Sequence, residues 1–175
     1  MRNGKIRIGI MGLGQIGRHL YHLAREKDDI EIVAVADIGK PEIIQYLLNS
    51  DGVDEPPCEL HDNYLINEKF RTRMLQLVRP EEVPWDVLNV HCVADATGRY
   101  KSRRDMEAHL RAGAPRVILA CLRAETIDRI VIPGINEASA PAGDKLISAG
   151  SATTNAFALL LQSLDQALGV DCASM

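Results

Sequence analysis

The chain has no long apolar run, no paired cysteines and no surplus of basic charge, and each shortage removes a class of function. No stretch approaches the ~20 apolar residues that a bilayer-spanning helix needs. Nor does a charged-then-apolar leader open the sequence, so a soluble, cytoplasmic protein or a piece of one is expected. Twenty Lys and Arg stand against twenty-four Asp and Glu, for a net charge of −4. That balance argues against a general nucleic-acid binder, whose footprint is basic. Cys58, Cys92, Cys121 and Cys172 are scattered with no CxxC among them, which argues for reduced thiols and against a disulfide framework or a zinc ribbon. His19 with His22, and Cys58 with His61, have ligand-like spacing but no partner pair, and read as surface or packing residues. Internal repeats, low-complexity tracts and interdomain linkers are also lacking.

What is present is a chain of 175 residues, 46% of them apolar, enough for one domain with a real core. "KIRIGIMG" sets Ile6, Ile8 and Ile10 in a strand that ends on glycine. Ile16, Leu20, Leu23 and Ala24 follow at helical spacing, and "IEIVAVAD" reads as a strand buried on both faces. Strand, helix and strand within about thirty residues form a βαβ unit. In "KPEIIQYLLNSDG", Pro41 opens a helix and Gly52 lies past its end, with Ile43, Ile44, Leu47 and Leu48 between.

From Asp54 to Val78 a Pro-Pro loop and two β-like runs around Asn67-Glu68 predict a hairpin excursion, centred on residues 58–78. "VHCVADATG" returns to the buried-strand style. Ser102 with Asp105 predicts a helix cap, and Gly113 the end of that helix. "RVILAC", "RIVIPGIN" and "KLISAG" predict three more short strands. "TTNAFALLLQSLDQALG" is a helix apolar almost all round, and "VDCASM" reads as a strand beginning. The fold class is therefore α/β, a doubly wound and mostly parallel sheet.

Gly12-Leu13-Gly14-Gln15-Ile16-Gly17 is a GxGxxG loop placed after a strand and opening a helix. Asp37 answers it at the end of the second strand, twenty residues after Gly17, which completes the Rossmann dinucleotide fingerprint. Gly12 permits the tight turn, Gly14 lets the backbone approach a pyrophosphate, and Gly17 lets helix and strand pack closely. The anion then meets the positive end of the helix. Asp37 accepts from ribose hydroxyls and repels a 2′-phosphate, so NAD or NADH is favoured over NADP, although nearby Lys40 softens that exclusion.

"IGIMGLGQIGR", "VAVAD", "ADATG", "HLRAGAPRVILA", "PGIN" and "SAGSATTN", in this order, resemble the N-terminal NAD-binding domain of glyceraldehyde-3-phosphate dehydrogenases. The resemblance runs from residue 5 to about residue 170 and reads residues 1–175 as a single domain of this type, with the catalytic domain absent. It implies that Gly12, Gln15, Ile16 and Asp37 line the pyrophosphate and ribose sites. It also implies that Arg79 is the basic residue near the adenine end, and that Thr97, Gly98 and Tyr100 flank adenine and ribose.

The family's nucleophile lies in a segment resembling S-N-A-S-C-T-T-N. Here Ser148-Ala149-Gly150-Ser151-Ala152-Thr153-Thr154-Asn155 stands in its place, with Ala152 at the cysteine position. A methyl group cannot attack an aldehyde, so no catalytic residue is assigned. The alanine is either engineered, in a chain cut short to trap substrate, or natural decay. The additional departures at Ala149 and Gly150 favour decay. The reading that follows is an NAD-binding module without its own dehydrogenase activity, a subunit or regulator in a larger assembly. The alternatives are a truncated cofactor domain of an NAD-dependent dehydrogenase, or an interaction protein with an empty cleft. Phe157, Leu159, Leu160, Leu161, Leu164 and Leu168 surround the helix over residues 153–168. One face is expected against the sheet and the other under a protein partner or a second copy. Cys121 near the cofactor edge has no adjacent base, and Arg99, Lys101, Arg103 and Arg104 form a basic run beside the nucleotide site, within reach of a phosphate but read first as a solvated face.

Overall fold

Strands that are apolar on both faces are stable only between two layers of cover, and the chain builds those layers in order along its length. The structure is a computed structural model that describes residues 4–51, 56–121, 127–139 and 143–173. Its elements run β1 (Ile6–Met11), α1 (Gln15–Arg25), β2 (Ile30–Asp37), α2 (Pro41–Asp51), β3 (Glu59–His61), β4 (Tyr64–Ile66) and β5 (Arg71–Gln76). They continue with β6 (Cys92–Asp95), α3 (Arg103–Arg111), β7 (Val117–Leu119), β8 (Arg129–Ile130), β9 (Leu146–Ser148) and α4 (Ala152–Leu168). Gly52, Asp54, Ser174 and Met175 lie outside the described residues.

One sheet holds all nine described strands, in the order β3-β4-β5-β2-β1-β6-β7-β9-β8. The run from β5 to β8 is parallel throughout, and the antiparallel pairs are β3–β4 and β4–β5. The connection from β1 goes one way to β2, while β6 pairs on the other side of β1. The crevice at their carboxyl ends is thus a topological switch point, where open α/β sheets bind ligands. This is the doubly wound Rossmann arrangement. The hairpin excursion is not a separate lobe: β4 and β5 form a hairpin whose second strand lies parallel beside β2, and β3 extends the same sheet.

Two cores lie on the two faces of the sheet. Ile10, Ile32, Val35 and Met74 pack with Leu13, Tyr21, Ala24, Ile44 and Leu48 of α1, α2 and their approaches. Met11, Val33, Ala34, Ala36, Val93 and Leu119 pack with Trp85, Val83 and Met106 on the other side. Val33 and Ala34 both reach this second core because the register of β2 against β1 jumps between Ile8 and Gly9, so Val33 is the extra residue of a bulge.

Several side chains fall differently from the expected pattern. The buried face of α1 is Gly17, Tyr21, Ala24 and Arg25, whereas Ile16 and Leu23 are exposed. Tyr21 wins the inward position because its hydroxyl finds Thr72 Oγ1 at 3.2 Å and accepts from the Asn67 amide at 3.1 Å. On α2, Ile44 and Leu48 are buried and Ile43 and Leu47 exposed, so a single stripe faces the sheet. Of "RIVIPGIN" only Arg129–Ile130 is strand. Residues 170–173 form no strand; Gly169 turns the chain at φ 74°, and the Val170 N–H donates to Asp165.

The largest correction concerns α4. It begins at Ala152, with Ser151 as its cap, and none of its residues is buried, so the face expected against the sheet is only half covered. The neighbouring strands β9 and β8 have three and two residues and offer too little apolar surface to cover a helix of nearly five turns. Leu159, Leu160, Leu164 and Leu168 are exposed.

Candidate functional site

The carboxyl ends of β1, β2, β5 and β6 converge on one cleft of about 180 Å³. Met11 and Gly12 end β1, Ala36 to Ile38 end β2, Leu77 and Val78 follow β5, and Thr97, Arg99 and Tyr100 follow β6. One wall is apolar, made of Ile38, Leu77, Val78 and the Tyr100 ring, while Asp37 and Arg99 supply charge. Whole-ligand pockets usually measure roughly 300–1,000 Å³, so this cleft suits one flat, partly apolar end of a longer ligand.

The glycine loop fixes the geometry beside it. Gly12 has φ 88°, and a Cβ there would stand 2.9 Å from the Thr97 backbone, so only glycine lets the β1 and β6 ends meet. A Cβ on Gly17 would lie 1.9 Å from the Gly12 carbonyl oxygen, which accounts for the third glycine of the motif. Gly14 is different: nothing lies within 4 Å of the Cβ position, so its glycine leaves open space that a larger side chain would fill. It is the N-cap of α1, has no side-chain cap, and the first turn carries no acidic residue. The amide end of α1 at Gln15 and Ile16, both exposed, is therefore free to meet an anion. These features fit a dinucleotide.

Asp37 is held rigidly. One carboxylate oxygen accepts the Leu13 N–H at 2.6 Å and the other the Gly39 N–H at 2.7 Å. The acid thus ties the glycine loop to the end of β2 and presents its remaining lone pairs at the cleft. Tyr100 is pinned across the opening by donating its hydroxyl to the Val78 carbonyl.

Arg79, which the resemblance sets near the adenine end, turns toward its own acidic neighbours. Its Nε donates to Glu82 at 3.2 Å, and Glu81 lies 3.7 Å from its guanidinium, so it closes a short 3-10 turn outside the cleft lining. The N–H groups of Arg79 and Val78, with that guanidinium, hold the Glu82 carboxyl below its ordinary range. Arg99, from the basic run that the sequence sets beside the nucleotide site, is the cation that lines the cleft. Gln15 lines a separate groove of about 550 Å³ with Arg18, His19, His22, Leu23, Glu26 and Asp51. No group of three or more metal-ligating side chains occurs among the described residues, and Cys58 is buried while His61 pairs with Glu59.

At the start of α4 the Ser151 hydroxyl accepts the Thr154 N–H at 3.0 Å, and the Asn155 amide donates to Ala149 at 2.8 Å and Ser151 at 2.9 Å. Gly150 has φ 72°. The turn is fully braced, yet Ala152, its first helical residue, presents only an exposed methyl group. No helix of the described residues is long and apolar enough to cross a membrane.

Comparison with known proteins agrees with this geometry. The family described as glyceraldehyde 3-phosphate dehydrogenase, NAD binding domain, matches residues 6–103, which include the glycine loop, Asp37, Arg79 and the Thr97–Tyr100 wall. Glyceraldehyde-3-phosphate dehydrogenase of Mycoplasma pneumoniae is 33% identical over 168 residues, 94% of this chain and 50% of the relative. The chromosomal enzyme of Cupriavidus necator is 34% identical over 172 residues, covering 94% and 51%. That of Buchnera aphidicola is 33% identical over 168 residues, again 94% and 50%. The chain spans about half the length of these relatives. With the family match covering more than half of its residues and ending on the cleft wall, the chain belongs to the NAD-binding domain family of glyceraldehyde 3-phosphate dehydrogenase.

Proposed function

We propose that this chain binds NAD or NADH in the β1–β6 crevice as a module that performs no aldehyde oxidation through residue 152. The observation that carries the reading is the braced turn before α4, complete in cap and amide hydrogen bonds but bearing Ala152. NAD, when bound, supplies a hydride acceptor. Gly12, Gly14 and Gly17 with the first turn of α1 hold the pyrophosphate, Asp37 the ribose hydroxyls, and Thr97, Gly98 and Tyr100 the adenosine end. Asp37, buttressed by two N–H groups, disfavours a 2′-phosphate and so favours NAD over NADP.

Four exposed leucines on α4 support a role as a subunit or regulator whose partner, a larger protein or a second copy, covers that helix. The net charge of −4 speaks against nucleic acid, and four scattered cysteines without a CxxC pair suit a cytoplasmic protein. The test is NADH production from glyceraldehyde 3-phosphate by the purified protein and by Ala152→Cys. Neither is expected to turn over, and NADH formed by the unmutated chain would overturn the reading.

A second reading is favoured by the relatives being about twice as long: these residues are the cofactor-binding half of a longer dehydrogenase. In that case Ala152→Cys restores turnover once the remaining half is supplied.

A further inference from the structure

Three buried side chains, Trp85, His109 and Asp95, form one hydrogen-bonded chain that ends at the cleft. Trp85 and His109 are fully buried and Asp95 is 1% exposed. The Trp85 indole lies against β1, where a Cβ on Gly9 would stand 2.3 Å from the ring, so its position is fixed by the absence of a side chain there. From that position its Nε1–H donates to His109 Nδ1 at 3.1 Å. An indole only donates, so Nδ1 is an acceptor and the ring proton sits on Nε2. His109 Nε2 then donates to Asp95 Oδ2 at 3.2 Å. The other carboxylate oxygen, Oδ1, accepts both the Thr97 N–H at 2.9 Å and the Thr97 hydroxyl at 2.7 Å. The hydroxyl in turn accepts the Arg99 N–H at 3.1 Å.

Each link leaves little freedom to the next. A buried carboxylate must be satisfied by hydrogen bonds, and Asp95 has donors on both oxygens. Thr97 and Arg99 line the cleft, and Gly12 packs directly on the Thr97 backbone. A shift of Asp95 therefore moves the cleft wall and the glycine turn together. His109 comes from α3, on the far side of the β6 end from the cleft, and does not line it.

We propose that His109 is a positioning residue for the nucleotide cleft, carrying a buried hydrogen-bond chain from Trp85 through Asp95 to Thr97, so that cleft occupancy and the indole are coupled. The inference rests on the reading that NAD binds in this cleft. Coupling is reciprocal: whatever ordering NAD imposes on Thr97 is felt at the indole, and loss of the imidazole is felt as weaker NAD binding.

Trp85 is the only tryptophan, so its indole N–H gives one resolved signal in a ¹⁵N-labelled protein. Titration with NAD is expected to move that signal with the same saturation midpoint as the heat measured by calorimetry. His109→Leu is expected to weaken NAD about tenfold, the loss of one hydrogen bond to a charged group. His109→Gln, whose amide N–H can replace the Nε2 donor, is expected to stay within about twofold of the unmutated protein. Asp95→Asn sets an amide donor against either His109 or Thr97 and is expected to weaken NAD as His109→Leu does. The unmutated protein decides by itself even if a variant fails to fold. NAD binding measured by heat with a motionless indole signal overturns the proposal and leaves the NAD reading standing, whereas no NAD heat at all overturns both.

Discussion

Gly14 and Gly17 belong to one motif, yet their substitutions should fail in opposite ways. In Gly17→Ala the new Cβ meets the Gly12 carbonyl oxygen at 1.9 Å, about 1.5 Å inside ordinary van der Waals contact. That oxygen cannot swing away freely, because Gly12 sits at φ 88° with its N–H bonded to the Ala36 carbonyl at 2.8 Å. Helix α1 must lift from the β1 turn. Overpacking of this kind costs about 1–3 kcal/mol or more. At about 2–4 °C per kcal/mol for a chain of this size, the melting temperature falls by roughly 6–12 °C at the upper end of that cost. In Gly14→Val the side chain enters open space, and Gly14 already has an extended conformation, φ −65° and ψ −167°, that any residue adopts. Its cost to the fold is that of a poorer N-cap, under about 1 kcal/mol, but its bulk stands where a pyrophosphate approaches the backbone. Differential scanning calorimetry and NAD titration on the two variants separate the effects. Gly17→Ala melting with the unmutated protein, or Gly14→Val binding NAD undiminished, would refute the assignment of these two roles.

Asp37→Ala should narrow the preference for NAD over NADP and loosen the loop by freeing the Leu13 and Gly39 N–H groups; nucleotide titration checks it, and an unchanged ratio sinks it. Burying a leucine gains about 1.5–3 kcal/mol, so α4 should be covered in solution, by a second copy or by a larger partner that co-purifies. Leu164→Asp should break that association, and a well-behaved lone monomer indifferent to the change speaks against any such surface. Asp128 is held below the ordinary carboxylate range by the Leu146 and Lys145 N–H groups and then by Arg103. A depressed pKa stabilises above the unfolded value and is lost as pH falls through the folded one. Asp128→Asn should therefore lower the melting temperature at neutral pH, with a gap that closes on acidification; a gap independent of pH contradicts this.

The first βαβ unit was legible because its signals agree: β-branched alternation in Ile6, Ile8 and Ile10, a glycine loop, and an acid at Asp37. The cap of α3 was equally clear, since Ser102 and Asp105 bond each other's backbone N–H as a capping box. Helix faces were less legible, because Ile16 and Tyr21 are both apolar and the partners that hold Tyr21 inward, Thr72, Asn67 and Phe70, lie far along the chain. Arg79 turns to Glu82 through a local effect, the Arg-Pro-Glu-Glu turn, and that spacing was present in the sequence to be read. The network through His109 left no local trace. Its partners lie 14 and 24 residues away, and only the packing of α3 against the Pro80–Glu82 turn and β7 brings them together.

The claim at the centre is that the crevice between β1 and β6 binds NAD, and calorimetric titration of the purified protein with NAD and with NADP tests it most directly. Saturable heat with one nucleotide per chain is expected, with tighter binding of NAD than of NADP. No heat with either nucleotide, or equal affinity for the two, would contradict it.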